Sequence, residues 1–365
     1  MGTPGQGSSG LIDRRQFLKA AGAVFLAGLA PRAAEALVRT DAVYASAFRD
    51  RNGDFGLAIL SEAGEVVTTA ELPGRAHGLA ASPVTGQVVA FARRPGTFAL
   101  ALDLKGKTEP VVFSAPENRH FYGHGHFSPD GRLLYASEND FDGNRGVIGL
   151  YDALDGFRRL GEFSAHGIGT HDMSVSDDGS LLIIANGGIE THPDFGRTKL
   201  NLDHMQPSLV LADAKTGALL EKHDMPANLR QLSTRHVDLD AKGRIWFACQ
   251  YEGPRTDLPP LVGHFSRGEA VRFIDLPPAV TEGLANYVGA IAVNRMDGLV
   301  GVTSPNGGMA VTIEAASGRV LSHHPVADAA GIAAAAHGFA VSSYRGDFAG
   351  KKQDVNWDQH IIRLR

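Results

Sequence analysis

Histidine is spread unevenly along this chain. Of its 15 copies in 365 residues, four stand at the head of short apolar runs: "HGLAASPVTGQVVAFAR" from His77, "HGHFSPDGRLLYASE" from His124, "HDMSVSDDGSLLIIANGG" from His171 and "HVDLDAKGRIWFACQ" from His236. Neutral imidazole is the commonest transition-metal ligand, and several converging from separate strands make a site for Fe, Cu or Zn. His192, in the long segment "NGGIETHPDFGRTKLNLDHMQPS", joins them. The expected ligand set is therefore His124, His171, His192 and His236. His77, His126, His166, Glu138, Asp172, Asp194 and Arg197 are expected as supporting residues. His124 and His126 lie two apart on one strand and so face the same way. His124 is expected to turn toward an opening, and His126 to pack or hydrogen-bond deeper, between repeats. The competing role for all these histidines is structural, since a Gly-His pair before an inner strand can simply brace the repeat by hydrogen bonding. No tight ligand spacing such as H-E-x-x-H occurs, and no Ser-His-Asp order, phosphate-binding loop or dinucleotide fingerprint. Cys249 is the one cysteine, which excludes an internal disulfide and covalent c-type haem.

The elements that would position these residues form a repeat. The unit is a short strand, a Gly-containing turn, an apolar strand, a loop, and two further strands, with a period of roughly 40–50 residues. Beyond the four runs above, further copies start at "GAIAVNRMDGLVGVTS" from Gly289 and "GIAAAAHGFAVSSY" from Gly331, the last closing on "HIIRLR". The N-terminal "AVYASAF", "GLAILSEAG" and "VVTTAEL" supply the later strands of one more unit. Seven four-stranded units predict an all-β, seven-bladed β-propeller occupying residues 37–365. The first unit lacks a first strand and the last a fourth, so the ring is expected to close by pairing of the termini. The strand that crosses over is left open. In such a blade the start of the inner strand and the loop between second and third strands share one face. That gathers the histidines, Asp172 and Asp238 around one mouth, with the long loops 138–146, 186–208, 250–260 and 344–360.

Residues 1–36 read as a twin-arginine export signal: Arg14-Arg15 precede Phe17-Leu18-Lys19, an apolar run from Ala20 to Ala30, and "AEA" ending at Ala36. An eleven-residue apolar run is too short to span a bilayer. The chain is expected to reach the periplasm already folded and to act as a monomer there. Its net charge is −5, and −7 once the four basic and two acidic residues of the leader are removed. That balance gives no reason to expect nucleic acid or an anionic membrane as partner.

At "RHFYGHGHFSPDGRLLYASENDFDGNRGVIGLYD", "ANGGIETHPDFGRTKLNLDHMQPSL" and "RQLSTRH" the chain resembles a bacterial family known as domain of unknown function 1513, over essentially its whole length after the leader. The resemblance implies a seven-bladed periplasmic propeller encoded beside imelysin-type proteins and di-haem oxidoreductases in iron-linked clusters. It brings no catalytic residue. Three functions compete. The first is a metal-binding accessory protein for iron or copper handling. The second is an interaction scaffold whose histidines only brace loops. The third is an enzyme, either a metal oxidase or a lactonase-like hydrolase with Glu138, Asn139, Asp140 and Asn186 as oxygen donors for a hard cation.

Overall fold

The computed structural model describes residues 42–94 and 96–364; the expected leader, residues 1–36, lies outside the described residues. The chain forms seven four-stranded antiparallel sheets arranged as a seven-bladed propeller. Six blades are built from consecutive strands. In the first, the innermost strand is the last of the chain, Val355–Arg363, followed outward by Tyr44–Asp50, Phe55–Leu60 and Val66–Leu72. The C-terminus thus supplies the missing inner strand and closes the ring, pairing Tyr44 with Arg363 and Phe48 with Trp357. Trp357 is buried against Phe348 and Phe48 at this seam.

Strand chemistry follows radial position. Second strands such as Leu181–Asn186 and Ile245–Tyr251 are nearly continuous apolar runs, because both their faces are covered by neighbouring blades. Fourth strands such as Arg158–Ser164 and Val320–Pro325 are half-buried to exposed, with no fully buried residue, and the latter carries the exposed pair His323–His324. Inner hairpins turn on glycine: Gly131 and Gly179 take φ of +70° and +69°, a region that favours glycine. Ser128 and Ser176 lock those turns by accepting the N–H of Leu133 and Leu181.

One expected element differs. Residues 344–360 are not a single loop. They contain the two-residue strands Asp347–Phe348 and Lys351–Lys352, the outer half of blade seven, and then the start of the closing strand. These outer strands are too short to show in a hydrophobic pattern. The only α-helix among the described residues is the six-residue Pro278–Gly283, and none is long and apolar enough to cross a membrane.

The inner strands share a feature that builds the site. In blade two, Ala76 pairs with Ala92 but Leu79 with Ala90; in blade three, Phe121 pairs with Glu138 but Gly125 with Ala136. Equivalent slips occur at Thr170/Asp172 and Thr234/His236, and opposite Ser46/Phe48 in the closing strand. A bulge of this kind re-aims the side chain it carries. Each of these five bulges contains or adjoins a histidine: His77, His124, His171, His236 and His360. Blade seven has the bulge but places Ala330 and Gly331 there, and blade six runs unbroken through Ala290.

Candidate metal centre

The five bulged strands bring their histidines together on the propeller axis. Following the ring, centroids are 4.6 Å apart for His360–His77, 5.0 Å for His77–His124, 5.1 Å for His124–His171 and 4.7 Å for His171–His236. His236 and His360 close the circuit at 4.8 Å, across the two blades that lack a histidine. His124 touches all four others, lying 5.3 Å from His236 and 4.6 Å from His360. Such rings fit only because glycine stands between them. A Cβ at Gly78 would lie 2.3 Å from the Gly123 carbonyl oxygen and 2.8 Å from His124 Nδ1, and one at Gly123 would meet the His77 ring at 2.9 Å.

Two overlapping triads can hold an ion, His77–His124–His171 and His124–His236–His360, with potential ligand atoms in each within 4.8 Å of one another. Small ring rotations would be needed to reach the Zn–N distance of about 2.0–2.1 Å. Hydrogen bonding already fixes several tautomers. His171 Nδ1–H donates to the Arg235 carbonyl at 3.0 Å, leaving the Nε2 lone pair free. Asp172 sits between two histidines, with Oδ1 3.2 Å from His124 Nδ1 and Oδ2 3.6 Å from His236 Nδ1. A carboxylate behind an imidazole is the usual outer partner of a metal-bound histidine. His77 Nδ1, His124 Nε2 and His360 Nε2 are buried with no hydrogen-bond partner, although His77 Nδ1 faces the Asp358 carboxylate at 3.7 Å. Each such orphan costs about 1–3 kcal/mol, and a metal would satisfy the Nε2 atoms of His124 and His360.

The electrostatics keep four of the rings neutral, the form that binds metal. Burial, reinforced by the crowding of the imidazoles and, for His77 and His171, by Arg235, pushes His77, His171 and His360 well below the ordinary imidazole range, and burial takes His236 down to about 4. Burial alone would raise Asp172, but its interactions with His124 and His236 win and hold the carboxyl well below the usual range. Asp238 behaves differently: burial raises it to about 6. Its Oδ2 accepts the Val293 N–H of the next blade at 2.7 Å, as Asp172 accepts Val237 N–H at 3.1 Å.

Of the expected ligands, His124, His171 and His236 meet here, and His77 proves to be one of the cluster as well as a packing group. His192 is placed elsewhere. It precedes Pro193 and caps a 3-10 turn, its Nδ1 accepting Asp194 N–H, with its ring against Phe141 and Phe195. Asp194 is exposed beside it. His126 corrects the expected inter-blade packing. The bulge leaves its ring exposed in the channel, where Nδ1–H donates to the Phe127 carbonyl. His166 bonds the Gly217 carbonyl at an outer turn.

The hard-cation set is dispersed. Glu138 is buried under Tyr151, Arg159 and Arg119, and Asp140 is held by Arg145 and Arg119. Asn139 donates to His120 and to the Thr191 carbonyl, while Asn186 bonds Thr170 and the Ala165 carbonyl. Sequence reasoning missed His360. The visible signal was "QHIIRL" beside "RHVDLD", an alignment that needs the closing strand to be recognised as an inner one.

The cluster divides the channel. On one side a cavity of ≈ 490 Å³ is lined by His124, His126, Asp172, His236, Asp238 and His360. On the other, the mouth pocket of ≈ 300 Å³ is floored by His77 and His171 and walled by loop residues including Arg197 and Lys199.

A family model described as "Protein of unknown function (DUF1513)" matches residues 70–364. No curated protein matches the sequence. Among solved structures the chain is similar to hydrazine synthase of Kuenenia stuttgartiensis, at TM-score 0.61 and 13% identity, covering 84% of this chain and 89% of that one. The Cps50 (Swd1) β-propeller domain of Myceliophteria thermophila aligns at TM-score 0.56 and 12% identity, over 84% and 94% of the two chains. A chain of a nidogen/laminin complex aligns at 0.51 and 11%, over 88% and 98%. At these identities the likeness is one of fold alone.

Proposed function

The chain belongs to the DUF1513 family, which carries a shared sequence but no assigned activity, and from that premise we propose that it is an exported metal-binding propeller serving periplasmic iron or copper handling. The observation that supports this is the axial histidine cluster: five buried or half-buried imidazoles from five blades, three of them with an orphaned buried nitrogen, and a carboxylate behind two. Structural bracing accounts poorly for it, because bracing histidines have their nitrogens bonded. His77, His124, His171, His236 and His360 would hold a borderline divalent ion. When bound, that ion would supply a Lewis-acidic or redox-active centre. The rest is the work of the chain: Asp172 and the Arg235 carbonyl orient the rings, and burial excludes protons. Imelysin-type proteins and di-haem oxidoreductases are the partners that the family resemblance suggests.

Isothermal titration of chelator-treated protein with Fe(II), Cu(II) and Zn(II), separately, tests the reading. We expect one of them to bind, and the double variant His124→Ala with His236→Ala to lose it. Chelator should lower the melting temperature of the wild type, since a ligand at a hundredfold excess over its Kd adds about 2.7 kcal/mol. Binding no tighter than about 0.1 mM, near −5.5 kcal/mol, would leave the cluster as structure. The export half is tested separately: Arg14→Lys with Arg15→Lys should strand the precursor in the cytoplasm.

A further inference from the structure

The mouth pocket above the cluster has a chemistry of its own. Its lining contains Arg93, Arg94, Arg197, Lys199 and Arg235 and no acidic residue. Two of these cations are matched from behind: Arg93 pairs with Asp358 at 3.2 Å, and Lys199 with Glu252. The other three have no carboxylate partner among the described residues. Arg94 bonds only the Thr191 hydroxyl, at 3.2 Å, and the Nε of half-buried Arg235 is enclosed without an acceptor. Arg197 reaches in from the exposed rim. Crowding is evident in their acidities: burial, with Arg235, Arg197 and Arg93 nearby, pushes Arg94 down to about 10, and burial with Arg93 and Arg235 lowers Arg197 too. Like charges gathered in a cleft raise one another's energy, and an anion there relieves them.

We infer that the mouth pocket binds a small polycarboxylate, seated directly over the histidine cluster, so that a metal ion and its anionic co-ligand are held as one unit. Guanidinium groups match the planar carboxylate and donate to it in pairs. Three unmatched guanidiniums offer more paired donors than one carboxylate can use, and the wall adds Tyr287, Gln250 and Gln359, a lining that suits a ligand with several carboxylates. A volume of ≈ 300 Å³ sits at the small end of ligand pockets. The floor is His77 and His171, so a carboxylate oxygen there lies beside the metal triad. The pocket itself stands on its arginines; the coupling to metal rests on the metal-binding reading above.

Calorimetry with citrate, malate and inorganic phosphate, each titrated into purified metal-free protein, separates the sources of oxyanion. A polycarboxylate should bind tighter than about 1 mM, and Arg94→Gln with Arg235→Gln should weaken it at least about tenfold, the loss expected when charged hydrogen bonds are removed. If melting shows that this double variant does not fold, Arg197→Gln at the exposed rim should still weaken binding about threefold or more. Repeating the titration on metal-loaded protein should give tighter citrate binding than in the metal-free form. Phosphate binding more tightly than either carboxylate would overturn the assignment, as would carboxylate binding that survives the arginine substitutions, or none at all. Citrate binding that depends on the arginines in a protein that takes up no metal would support the pocket while overturning the metal reading.

Discussion

Asp172 is the side chain on which the cluster's chemistry turns. It accepts backbone N–H groups from Met173 and Val237, and it also faces the Nδ1 atoms of His124 and His236. Asp172→Asn preserves an oxygen for the backbone but removes the charge behind two imidazoles. Metal affinity by calorimetry should fall about 10–100-fold, the range for outer-shell changes, with the fold intact by melting. Unchanged affinity would mean the carboxylate only clamps blades. The same residues set the acid stability of the metal-free protein. Unfolded imidazoles take up protons below about pH 6.5, whereas folded His236 resists until about 4. Between those limits the unfolded state holds more protons, so stability falls as pH drops and levels off below the folded value. His236 alone contributes about 3 kcal/mol across that window, and His77, His171 and His360 act in the same direction. Asp238 opposes them, since its carboxyl, raised to about 6, protonates first in the folded state and regains stability as pH falls. Four rings outweigh one carboxyl. The melting temperature should therefore decline from pH 7 to pH 4.5, and a flat or rising profile would mean the rings are solvated.

At the scale of the element, the bulged inner strand is the device that makes a site out of a repeat. The motif was plain in the sequence as a histidine at a recurring position, but an alternating strand model places His124 and His126 as equivalents. The slip between Phe121 and Gly125 makes them unlike: one is buried in the cluster, the other stands free in the channel. The bulge depends on glycine at Gly78 and Gly123, the latter at φ +105°. Gly78→Ala would drive a methyl into the Gly123 carbonyl, which as backbone cannot swing away. Urea unfolding should show a loss of about 1–3 kcal/mol, the usual cost of overpacking, together with weaker metal binding as His124 is displaced. Retention of both properties would show that the rings are less tightly nested than their distances imply.

The whole molecule is a closed ring, and its closure and its site are the same structure. Removing "HIIRLR" would delete His360 and the pairings of Ser46, Ala45 and Tyr44 with Ile361, Ile362 and Arg363, along with the Arg363–Glu62 ion pair. Blade one would expose the inner edge of its strand at Tyr44, Ala45 and Ser46, an unpaired stretch that invites association. The truncated protein should aggregate or unfold without cooperativity, and should bind metal weakly even where it stays soluble. Scanning calorimetry and light scattering check this directly; a truncated chain melting like the full one would show that the seam does not hold the ring.

Repeat number, all-β class, the Gly turns and the buried second strands were legible in the sequence because they rest on local periodicity and turn chemistry. Three of the five clustered histidines were named as ligands and His77 as a neighbour, for the same reason: they recur at one repeat position. His192 was grouped with them because a long loop shows its composition but not its path, and here Pro193 and two phenylalanines hold it aside. His360 was overlooked because its strand joins a blade more than 300 residues away in sequence, a partnership that exists only once the ring closes. The arginine pocket is of the same kind. Arg94, Arg197 and Arg235 come from three distant segments, and only the tertiary structure, by bringing blades to one axis, sets their charges against each other over a floor of imidazole.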